Sequence, residues 1–168
     1  MLSRRVFRGL RALVSAVVCG AMLVSGSGRD CTLTSYNVMS GSGSSGPGSL
    51  AQWKVSRKFT RSVNIAAVHE RLDWPRLKYH TVRISFRGKS AEFEIFDTCA
   101  DRNCGGCCTK NRKAGGRGML FDLDSSAVQR IWGIRNAENS LFAAAKYTVG
   151  KRFDPKWAAK TYGASWDG

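Results

Sequence analysis

Acidic residues are scarce in this sequence: twelve Asp and Glu stand against 27 Lys and Arg in 168 residues, a formal charge of +15. Such a field repels cationic partners. It raises the local concentration of anionic ones, whether acidic polysaccharide, wall polymers, lipid headgroups or nucleic acid, without choosing among them. Histidine is scarcer still. His69 and His80 are the only two and share no metal-ligand spacing, so both read as ordinary strand residues. No Gly-rich phosphate loop, nucleophile elbow or zinc-protease motif is present, which argues against nucleotide chemistry and serine hydrolysis. Long apolar runs are missing too. The run from Leu13 to Val24 holds twelve residues, whereas a membrane-crossing helix wants about 20. No membrane span is expected.

What is present begins with a leader. Arg4, Arg5, Arg8 and Arg11 precede that apolar run, small residues Ser25 to Gly28 follow it, and the first acid is Asp30. This is the layout of a signal peptide over residues 1–28, and it implies a secreted, extracellular or wall-located protein. Two other readings of the leader stay open, a mitochondrial transit peptide and a twin-arginine export signal at Ser3 to Phe7. Four of the 27 basic residues lie in the leader, so 23 face twelve acids beyond it and the mature part carries about +11. About 140 residues then remain, enough for one modest core.

Beyond the leader five cysteines remain: Cys31, Cys99, Cys104, Cys107 and Cys108. In an oxidising compartment an odd number gives two disulfides and a spare thiol able to pair between chains, with the connectivity not set by spacing. Cys104-Gly105-Gly106-Cys107 also has the two-residue gap of a zinc knuckle or a redox dithiol. Metal knuckles come as separated pairs, so disulfides are preferred, and no metal or cofactor is expected.

Alternation supplies the secondary structure. Thr32 to Val38, Val63 to His69, Tyr79 to Phe86, Glu92 to Asp97, Met119 to Leu123 and Ala143 to Phe153 read as six short strands. Arg87 to Ser90 turns a hairpin between the third and fourth. Ser40 to Ser49 is all Gly, Ser and one Pro, a surface loop. Cys99 to Gly118 reads as an irregular loop tied down by cross-links. Asp124-Ser125-Ser126 caps a short helix that Gly133 stops. The fold class is mostly β, a small six-stranded barrel with one short helix over residues 29–154 and a tail over 155–168. A monomer is expected.

Three stretches carry a resemblance. Thr34-Ser35-Tyr36 opens before a Gly-rich loop, a hairpin leads into Phe93-Glu94-Ile95-Phe96-Asp97-Thr98-Cys99, and Phe121-Asp122-Leu123-Asp124 precedes a helix. In this order they resemble the double-psi β-barrel superfamily of expansins, barwin and kiwellin-type proteins, rare lipoprotein A and the family-45 endoglucanases. The resemblance implies a polysaccharide groove with Asp122 as its principal acid, Leu120 standing where the family has histidine, and Asp97 bordering the same groove. Close carboxylates would raise one pKa toward neutrality. Tyr36, Trp53 and Trp74 are candidates for stacking on sugar rings.

One departure matters: Asn37 follows Tyr36 where the hydrolases carry a second aspartate, and an amide cannot take a proton from water. The resemblance therefore implies a secreted expansin-like protein that binds and loosens cell-wall polysaccharide without hydrolysis. The alternatives are a lytic transglycosylase or weak glycosidase using Asp122, and a barwin or kiwellin-type defence or effector protein binding another protein. Nucleic acid is disfavoured, because the basic and aromatic residues form no recognised nucleic-acid motif.

Overall fold

The computed structural model describes residues 28–39 and 50–166. All but the last residue of the expected signal peptide (residues 1–28) and the expected Gly-Ser surface loop 40–49 lie outside the described residues. Six strands close a barrel in the order β1 (Arg29–Tyr36), β6 (Leu120–Asp124), β3 (Ile65–His69), β5 (Lys89–Cys99), β4 (His80–Phe86) and β7 (Ala143–Arg152), which returns to β1. The pairs β1/β6 and β3/β5 run parallel and the other four antiparallel. This closed mixed order is that of a double-psi barrel.

Alternation places the core. Val82 and Ile84 of β4, Ala145 and Tyr147 of β7, Phe93 and Ile95 of β5, and Phe121 and Leu123 of β6 all point inward. Trp132 closes one end, stacked on Phe93 with centroids 5.6 Å apart. Arg87 and Gly88 both take left-handed φ, 50° and 73°, and give the two-residue reversal that joins β4 to β5. A second core lies outside the barrel wall, where Phe59, Phe96, Trp53, Tyr79 and Ile65 pack together.

Six short helices occur where the sequence suggests one. The expected helix is α4 (Ser125–Trp132): the Asp124 carboxylate accepts from the Ala127 amide at its start, and Gly133 ends it at φ 71°. The others are α1 (Arg57–Ser62), α2 (Trp74–Leu77), α3 (Cys107–Gly115), α5 (Ala137–Ser140) and α6 (Pro155–Tyr162). Half of the expected irregular cysteine loop is thus helical. None of the described helices is long and apolar enough to cross a membrane.

The tail folds back instead of trailing. A two-residue strand, β8 (Ser165–Trp166), pairs with β2 (Trp53–Lys54), the Ser56 hydroxyl donates to the Tyr162 carbonyl at 3.2 Å, and the Tyr162 ring meets Phe59 edge-on.

Of the five cysteines beyond residue 28, Cys99–Cys108 and Cys104–Cys107 are bonded and Cys31, grouped with them as a disulfide candidate, is the spare thiol. It points into the barrel, is fully buried and is a free thiol, so no sulfur from the surface loop or from another chain reaches it. Burial and the neighbouring Asp30 push the thiol up to about 12, which makes it inert as a nucleophile.

Candidate functional site

The site is built from one row of the barrel wall. Inward residues Leu33, Ala66, Ile95 and Phe121 leave their neighbours facing out. Register places Thr34 of β1 beside Asp122 of β6, Asp122 beside Ala67 of β3, and Ala67 beside Asp97 of β5. Lateral partners share a face, and strand spacing separates the two aspartate backbones by about 10 Å. A bulge between Ala66 and Ala67 in the β3/β5 pairing skips Phe96 into the second core and turns Asp97 into the row. Ala67 between the two carboxyls contributes only a methyl group.

Each carboxylate has a hydroxyl donor. Thr34 Oγ1 donates to Asp122 Oδ1 at 2.8 Å, and Tyr36 Oη reaches across β6 and β3 to donate to Asp97 Oδ2 at 2.8 Å. The Thr98 amide donates to Asp97 Oδ1 at 2.7 Å, and the Ala51 amide also serves Asp97. Burial nevertheless dominates and pushes Asp97 up to about 6. Asp122 is also pushed up to about 6, first by burial and then by the charge of Asp97, with Thr34 opposing. Tyr36 is held well above its ordinary phenol range by burial and the Asp97 charge.

Asp122 opens into a groove of about 590 Å³. Its floor is Thr34, Ser35 and Tyr36, one side is the cysteine loop with Asn103 and Asn111, and the other is Glu138, Leu141 and Phe142. Phe142 is 52 % exposed, a large ring facing water. The Ser35 hydroxyl bonds the Ala137 carbonyl and fixes α5 beside β1. Asn37 also lines the groove, its side-chain oxygen taking the Met39 amide at 3.0 Å.

The opposite wall is α3, and several contacts hold it. Cys108 is bonded to Cys99 at the end of β5. The Arg71 amide occupies His69 Nδ1, so Nε2 carries the proton and donates to Thr109 Oγ1 at 2.9 Å, and Thr109 in turn donates to Asp101. Arg112 approaches the fully buried Asp73, which Arg76 also pairs at 2.8 Å. Gly115 lies so close to β1 that a Cβ there would stand 1.8 Å from Thr32 Oγ1. A second bond, Cys104–Cys107, spans the Gly-Gly turn before α3.

Of the residues expected in the site, Asp122 and Tyr36 line the groove and Asp97 sits behind them, bonded to Tyr36. Trp53 does not belong to it. That ring is 2 % exposed in the second core, where its Nε1 donates to Tyr79 Oη. Trp74 is likewise a packing residue, edge-on to Tyr79 at 5.7 Å. Both were attractive only as tryptophans near strand ends. Phe142, Asn103, Asn111 and Glu138 escape sequence reasoning, since nothing in the pattern separates an exposed Phe142 from the strand it precedes.

No family model matches this sequence, and no curated protein matches it. Among solved structures, the β-1,4-D-endoglucanase Cel45A from the blue mussel Mytilus edulis is similar at 12 % identity and a TM-score of 0.41, over 80 % of this chain and 84 % of that one.

Proposed function

We propose that the groove binds a cell-wall polysaccharide, that the protein is exported to meet it, and that it loosens the polymer without hydrolysing it. The observation behind this reading is the groove's composition: a partly buried acid, Asp122, and an exposed one, Glu138, share it with an exposed Phe142 ring and the amides of Asn103 and Asn111. An aromatic face packs on the apolar face of a pyranose, while amides and carboxyls pair with its hydroxyls. Asn37 lines the groove, at the position after Tyr36 where the hydrolases this sequence resembles carry their second aspartate, and an amide cannot deprotonate water.

A second reading rests on Asp122 itself. A carboxyl pushed up to about 6 is partly protonated in a mildly acidic wall and can give its proton to a glycosidic oxygen. Cleavage without a water-activating base, as in a lytic transglycosylase, needs no more than that acid.

The mature chain, made in an oxidising host, should be tested for pull-down on cellulose, chitin, pectin and peptidoglycan across a salt series, beside Asp122→Asn and Phe142→Ala. Salt-tolerant binding to one polymer, lost in Phe142→Ala and without released sugar, supports loosening. Release of product that Asp122→Asn abolishes supports the lytic reading. Binding to every anionic polymer alike, and only at low salt, overturns both and leaves a protein partner as the alternative.

A further inference from the structure

Sugar binding makes no use of a second feature of the groove wall, its two disulfides. They touch: Cys104 Sγ lies 3.8 Å and Cys107 Sγ 3.7 Å from Cys108 Sγ, which is itself bonded to Cys99. Four sulfurs thus form one chain of contacts that runs inward. Cys104 is exposed, Cys107 half-buried, and Cys108 only 1 % exposed.

The outer bond contributes little as a cross-link. Cys104–Cys107 spans three residues inside the nine-residue span that Cys99–Cys108 already closes. A short loop nested in a closed one removes little further freedom from the unfolded chain. Its surroundings suit chemistry better. The Cys107 amide donates to Cys104 Sγ at 3.2 Å, which favours a thiolate at Cys104. The Asp101 carboxylate lies within 4.8 Å of the Cys104 and Cys108 sulfurs and opposes it, though the Thr109 amide and hydroxyl both donate to that carboxylate.

We propose that Cys104–Cys107 is a thiol–disulfide exchange site for external dithiols, with the buried Cys99–Cys108 bond as an internal acceptor behind it. An external thiolate attacks the exposed Cys104 Sγ, the Cys104–Cys107 bond breaks, and Cys107 leaves as a thiolate and takes a proton. The second external thiolate attacks the external sulfur of the mixed disulfide. The external dithiol is thereby oxidised to its disulfide, Cys104 is released as a thiolate, and two electrons have passed to the protein. Cys104 Sγ then attacks Cys108 Sγ; a Cys104–Cys108 bond forms, the Cys99–Cys108 bond breaks, and Cys99 leaves as a thiolate and takes a proton. This last step moves no net electrons. Cys104 is the internal nucleophile because a Cys107–Cys108 bond would close a strained ring between adjacent residues.

The test uses the folded, oxidised chain with graded dithiothreitol and no denaturant, quenched by alkylation and mapped by mass spectrometry. In chains that carry two new thiols, the expected result is alkylated Cys99 and Cys107 with a Cys104–Cys108 bond, beside chains alkylated at Cys104 and Cys107. If only Cys104 and Cys107 are ever alkylated in that fraction, the relay is wrong. A Cys104→Ser/Cys107→Ser chain gives a second reading. Reduction of its Cys99–Cys108 bond should slow by about tenfold or more, since the solvent dithiol loses its route through Cys104. An unchanged rate also overturns the proposal. Neither readout involves a polysaccharide, so the result stands apart from the groove's ligand.

Discussion

Tyr36 Oη donates to Asp97 Oδ2 at 2.8 Å from a strand that does not pair with the one carrying Asp97. The bond stitches β1 to β5 over the outer wall of the barrel and lowers the Asp97 pKa against the larger effect of burial.

Tyr36→Phe removes that donor and should move the Asp97 titration upward from about 6, by about one pH unit. Carboxyl carbon shifts followed by NMR across pH 4–9 would show it. An unmoved titration would mean that the phenol does not serve the charged carboxylate.

Asp97 and Asp122 both have folded pKa values raised above the ordinary aspartate range, so the folded chain holds protons that the unfolded chain releases. Between pH 4 and 6 stability should therefore fall as pH rises, and the loss should be complete above about 6. Each carboxyl contributes on the order of 3 kcal/mol. Glu94, pushed to about 7 by burial and Glu92, extends the decline upward. Asp122→Asn keeps an acceptor for Thr34 and removes the charge facing Asp97, so its melting temperature should exceed the parent's at pH 7 and match it at pH 4. Thermal melts at both values check the sign.

Phe142→Ala should weaken polysaccharide binding by about fivefold, the worth of about 1 kcal/mol of ring stacking, with the melting temperature unchanged because the ring is 52 % exposed. Trp53→Ala should do the reverse. It empties a core position and should cost about 3–5 kcal/mol of stability while leaving the affinity of the surviving folded protein intact. Paired isotherms and melts separate the two.

Gly115→Ala places a methyl against Thr32 Oγ1 at 1.8 Å. Either α3 or β1 has to move, at about 1–3 kcal/mol. Hydrogen exchange of the α3 amides, compared with those of β4, should report the wall loosening before the barrel does.

The barrel strands were legible because each alternates or is bounded by turn residues, and α4 because Asp124 and Gly133 mark its ends. Helix α3 was not: its Lys, Asn, Arg and Gly carry no apolar stripe, and it is held by Thr109, Arg112 and Gly115 against partners far away in the chain, beside the nearby Cys99–Cys108 bond. Likewise α1 shows little beyond the Ser56 cap and the buried Phe59. Asp122 and Asp97 were singled out by the resemblance of the stretches that carry them. Their common row was not legible, because it depends on register across β3 and on the bulge that skips Phe96. Tryptophan as a residue type misled at position 53, where burial decides the role.

The strand order also sets a schedule. The first strand, β1, finds its neighbours only in β6 and β7, which end at Asp124 and Arg152. A ribosome emits the chain from its amino end, so the barrel stays an open ribbon until β7 has emerged. Such a chain is ill suited to folding stepwise as it is made, and its barrel closes in one late step.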